Sequence, residues 1–186
     1  MKKKAKKRGF TLIEIIIAMT IMVIVGGVIV TITVSNSKIL SKVDMRSELQ
    51  MEAQIIQNQL TNVALDADGV VDVEFEENSD TIKYLIIQNE NNLHVYAFSD
   101  TTLTYYLYEM IKVETDDEAD EKYEYHYLQE KELSSKVLNV QVLPSTKEEL
   151  LNSKHIEFKV SLTKTSGVET VDYEIDNYIV FRNFKR

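Results

Sequence analysis

Between Phe10 and Val34 the sequence carries a single charge, Glu14, in a run of otherwise apolar and small residues. A helix rising about 1.5 Å per residue over such a stretch is roughly 37 Å long, enough to cross a bilayer with some tilt. Residues 10–34 therefore read as a transmembrane segment. The preceding residues 1–9 hold Lys2, Lys3, Lys4, Lys6, Lys7 and Arg8 and no acid. Positive charge before a span is retained in the cytoplasm, so everything after Val34 is expected outside the cell membrane.

An ordinary secretory signal ends in a small-residue cleavage site after its apolar core. Here Thr33-Val34-Ser35-Asn36-Ser37-Lys38 follows the core, with no A-x-A pattern and only Ser35 and Ser37 as a weak alternative. A carboxylate within a membrane helix costs a few kcal/mol, about 2.5–3.5 on insertion scales, so Glu14 calls for a partner or for a position near enough to the membrane edge to snorkel to water.

The order of parts, a basic leader, Gly9, Phe10-Thr11-Leu12-Ile13-Glu14 and an apolar helix, resembles the type IV prepilin signature shared by pilins and pseudopilins. The resemblance implies cleavage between Gly9 and Phe10 by a membrane aspartyl prepilin peptidase, then methylation of the new amino group on Phe10. It also implies that Glu14, fifth residue of the mature chain, neutralises the N-terminus of a neighbouring pilin during filament assembly. The expected partners are thus the prepilin peptidase, other major and minor pilins, and the membrane before assembly. Many major pilins have a proline late in this helix, where the present chain has Thr31. Many from Gram-negative bacteria also have a C-terminal disulfide, and this chain has no cysteine.

Within the span, Gly26-Gly27 reads either as a local kink or as a surface for close helix packing. Beyond it, Met45, Leu49, Ala53, Ile56, Leu60 and Val63 recur every three or four residues, with polar residues between them. That is one helical stripe, expected to lie buried on a globular domain. No Pro or Gly interrupts residues 29–68, so the two halves join in one helix of roughly 50 residues. Residues 64–69 read as its exit, with Gly69 as a turn or cap.

The remainder is patterned as strands. Val71, Val73 and Phe75 alternate with acids; residues 81–88, 93–98 and 103–108 are rich in β-branched and aromatic side chains; Tyr123, Tyr125 and Tyr127 alternate, as do Leu138, Val140 and Val142. The first of these read as an antiparallel meander. Residues 115–121 are dense in like charge and read as an exposed loop. Ser145 and Glu148 have capping-box spacing ahead of a short helix. Ile156 to Leu162 resumes the strand pattern, and residues 171–184 form a last pattern long enough to bend or split. The expected fold is α+β, a long N-terminal helix packed by its second half on an antiparallel sheet. Its divisions are a removable leader at 1–9, a membrane and assembly helix at 10–34, an amphipathic continuation at 35–65 and a β-rich domain at 66–186. The ending Tyr178-Ile179-Val180-Phe181-Arg182-Asn183 resembles that of W-type minor pilins and J-type minor pseudopilins.

Composition narrows the function further. Loss of a leader with six basic and no acidic residues takes the formal charge from −9 to −15, which argues against direct nucleic-acid binding. The absence of cysteine removes thiolate metal sites and thiol nucleophiles. His94, His126 and His155 lack ligand spacing and read as surface or edge residues; the Asp66, Asp68, Gly69 and Asp72 cluster lacks the order and the final Glu of a calcium loop. No nucleophile elbow, P-loop or dinucleotide fingerprint occurs, so neither an enzyme nor a cofactor is expected. The tyrosines read as strand packing in preference to an adhesive surface. A minor pilin or pseudopilin is the leading reading. A competence or type II secretion pseudopilin and an unprocessed single-pass anchor bearing a binding domain are the alternatives.

Overall fold

The computed structural model describes residues 10–77, 79–113 and 122–184. Two compact units, Met1–Val43 and Asp44–Arg186, divide the chain. One helix, α1 (Leu12–Asp66, 55 residues), belongs to both. It continues through Gly26 and Gly27 without interruption.

In the first unit the apolar side chains of α1 stand exposed, from Leu12 through Val34, as does Phe10 just before it. The helix is long and apolar enough to span a membrane. Four of its hydroxyls bond back to the helix: Thr20 donates to the Ile16 carbonyl at 2.9 Å, Thr31 to Gly27 at 2.9 Å, Thr33 to Ile29 at 2.9 Å and Ser37 to Thr33 at 3.0 Å. Such back-bonding is what lets hydroxyls sit in surroundings that offer no water.

In the second unit, all six residues of the predicted stripe, Met45 to Val63, are buried. Leu49, Ala53, Ile56, Leu60 and Val63 pack with two antiparallel sheets in one core. The larger sheet has the order β1-β2-β3-β4-β5, formed by Gly69–Phe75, Ile82–Asn89, Asn92–Ser99, Thr102–Val113 and Lys122–Ser134. The smaller has the order β6-β7-β8, formed by Val137–Leu143, His155–Ser166 and Glu169–Val180. The division into two sheets is a refinement of the single sheet expected. A bridge between Thr81 and Gln141 joins them, and the Thr81 hydroxyl donates to Asn139 Oδ1 at 2.6 Å.

Charged side chains reinforce the seat of α1. Lys136 reaches Glu48 and Glu52 together, Lys164 reaches Glu48, and the Ser134 hydroxyl donates to Glu52 Oε2. Hydrogen bonds from Lys136 and Lys164 hold the Glu48 carboxyl down to about 2.

Several expectations need correction. α2 (Lys147–Leu151) is capped by Thr146, whose hydroxyl accepts from Glu149 N and donates to Glu149 Oε2 at 2.9 Å. The cap therefore lies one residue beyond Ser145. Gly69 opens β1 and does not cap α1; a Cβ there would stand 3.3 Å from the Phe184 ring. The last pattern does not split, since β8 runs unbroken to Val180. His94 is buried, while His126 and His155 are exposed as expected. The acidic residues 115–121 and the leader 1–9 lie outside the described residues.

Candidate assembly site

The N-terminal turn of α1 brings Thr11 and Glu14 together. With the helix starting at Leu12, Thr11 is the N-cap and Glu14 stands three residues on, at the position where a carboxylate can reach back. Glu14 Oε2 accepts from Thr11 N at 2.8 Å and from the Thr11 hydroxyl at 2.8 Å, and Glu14 N donates to Thr11 Oγ1 at 3.4 Å. This is a capping box. It satisfies backbone donors that have no partner within the helix and sets a negative charge against the positive end of the helix dipole. Glu14 Oε1 has no hydrogen-bond partner among the described residues.

Phe10 is adjacent and 86% exposed. Gly9, the other half of the expected cleavage point, lies outside the described residues. The sequence reading missed Thr11 as a functional partner of Glu14. The signal was present as T-x-x-E over residues 11–14.

The β-domain offers less chemistry. His94 Nδ1 lies 2.7 Å from the Tyr105 hydroxyl, and burial pushes its pKa down. Tyr96 and Tyr105 pack ring to ring with centroids 5.4 Å apart, and burial raises both phenols. Asp72 is engaged by Lys147 and Tyr84, which removes it from the supposed acidic cluster. Among the described residues no group of three His, Cys, Asp or Glu side chains is arranged to hold a metal ion. Tyr96 and Tyr105 pack inward as expected, but Tyr123, Tyr125, Tyr127 and Tyr178 are exposed.

A helix with an apolar, exposed N-terminal part and a C-terminal part packed on antiparallel strands has the α+β layout of a pilin-like fold, and its apolar part fits a membrane anchor. Residues 4–30 match the prokaryotic N-terminal methylation motif, the feature on which the resemblance to type IV prepilins rests. The match ends within α1 and does not extend to the β-domain. Comparison with curated proteins and with solved structures returns no match.

Proposed function

We propose that the protein is a minor pilin or pseudopilin, cut between Gly9 and Phe10, methylated on Phe10 and drawn through α1 into a type IV or related filament. The observation that carries this reading is the capping box, together with the motif that contains it. One oxygen of Glu14 closes the subunit's own N-terminal turn. The other is available to the cationic amine of a neighbour's Phe10, so a single carboxylate serves both the helix and the contact between subunits. In hydrocarbon such a pair is far stronger than in water, because nothing screens it. The β-domain stays outside, and the resemblance of residues 178–183 to minor subunits favours a role in starting or capping the filament.

The test is the intact mass of the protein from its own membranes and from sheared surface filaments, quantified against the most abundant pilin. Loss of residues 1–9 with gain of one methyl group, and low abundance in filaments, is expected. A full-length mass confined to membranes refutes the proposal and leaves an anchored binding domain.

A further inference from the structure

The face of the larger sheet opposite to that of Tyr105 and His94 ends in a ladder of tyrosines. Pairing sets Tyr127 opposite Tyr108, Tyr125 opposite Met110 and Tyr123 opposite Lys112. Because successive strand residues alternate between faces, Tyr123, Tyr125 and Tyr127 share one face, with Tyr108 and Met110 across from them. The rings of Tyr108 and Tyr127 meet edge to face at 5.7 Å. Tyr125 is 58% exposed and Tyr127 53%.

Beside the ladder lies a hollow of about 300 Å³. Leu93, Met110 and Tyr125 line it with apolar surface, and Gln88, Glu90 and Asn91 add polar groups. The turn that carries these is pinned: Glu90 N donates to Asp68 Oδ2 at 2.9 Å and Gln88 Nε2 donates to the Glu90 carbonyl at 3.2 Å. The Glu90 carboxylate itself has no ion-pair partner among the described residues. Lys112, the one basic residue of these rungs, is not among the residues lining the hollow.

Exposed aromatic surface of this kind marks recognition sites, and tyrosine is enriched where binding energy concentrates. An apolar floor beside aromatic rings and an unpaired carboxylate fits a side chain with an apolar stem and a cationic head. We propose that the hollow and the tyrosine ladder dock a second protein, through a Lys or Arg side chain that lies over Met110 and Tyr125 and ends at Glu90. A chain of net charge −9 repels its own copies at long range, so charge complementarity favours a different protein with a basic surface. The surface belongs to the β-domain and is independent of how Phe10 is processed.

The experiment places p-benzoylphenylalanine at Tyr125 in the full-length protein within its own cells, and maps the photo-adduct by mass spectrometry. Adducts are expected on another protein, next to a Lys or Arg. Glu90→Lys, and more mildly the isosteric Glu90→Gln, should lower the yield, by about tenfold for the loss of one charge-assisted contact. Changing the mapped Lys or Arg of the partner to Glu should restore the yield with Glu90→Lys. Near-UV circular dichroism checks that each variant is folded. Adducts on a second copy of this chain, adducts on a segment without Lys or Arg, no adduct, or a yield indifferent to both Glu90 variants would overturn the proposal.

Discussion

Ile55 and Ile56 are the same residue type one step apart on α1, yet Ile55 is 40% exposed and Ile56 is fully buried. Replacing each by Ala removes the same atoms, so the difference in cost measures the rotational phase of the helix on its sheets. For Ile56→Ala the lost burial is about 2–2.5 kcal/mol at roughly 0.8 kcal/mol per methylene-sized group. The cavity left in a close-packed core raises this to about 3–4 kcal/mol. Ile55→Ala should cost under about 1 kcal/mol, since its side chain keeps much of its contact with solvent and Ala is the better helix former. In thermal melts of the full-length protein in detergent, followed by near-UV circular dichroism of the buried tyrosines, Ile56→Ala should lower Tm by roughly 10 °C and Ile55→Ala by under about 3 °C. Equal losses, or a larger loss for Ile55, would refute the packing phase on which the fold rests.

Three further outcomes are expected. Glu48, depressed to about 2 against an ordinary 4.5, contributes stability that is present above pH 4.5 and lost as pH falls from 4.5 towards 2; Glu48→Gln should flatten Tm against pH in that window, and parallel curves would count against the Lys136 and Lys164 contacts. Thr146→Ala should cost about 1 kcal/mol by removing the cap of α2, whereas Ser145→Ala should change stability by under about 0.5 kcal/mol, as read from the same melts. Gly69→Ala should cost about 1–3 kcal/mol because of its backbone conformation and the nearby Phe184 ring, and a double-mutant cycle with Phe184→Ala should recover only the steric part.

The helical stripe was legible because a period of 3.6 leaves no other face for Met45, Leu49, Ala53, Ile56, Leu60 and Val63. Strand faces were harder. In β3 both alternating sets are apolar or aromatic, Leu93, Val95 and Ala97 against His94, Tyr96 and Phe98, so the pattern alone did not show that His94 turns inward. The far halves of β4 and β5 were underestimated because this ribbon covers no core and its exposed Glu and Lys residues obey no burial period. Ser145–Glu148 and Thr146–Glu149 satisfy the capping rule equally. Burial of Leu150 within the core accompanies the second choice, a tertiary outcome invisible in the local spacing. At the N-terminus the hidden relation was Thr11 to Glu14, obscured because the carboxylate was read in terms of an external partner or of snorkelling to water, not of its own helix turn.

Contacts of very long range fasten α1 to the end of the chain. Glu48 meets Lys164 across 116 residues, and the Asp66 carbonyl accepts from Asn183 Nδ2 at 3.3 Å across 117. The helix is made before any strand that covers it. Its stripe therefore waits, uncovered, until β7, β8 and the residues just after Val180 have left the ribosome. Folding is a closing event, slow because distant segments must meet, and the stripe is open to unintended partners throughout that interval. Whatever assists this chain in the cell must act during that delay, before the last turn of sequence seals the helix in place.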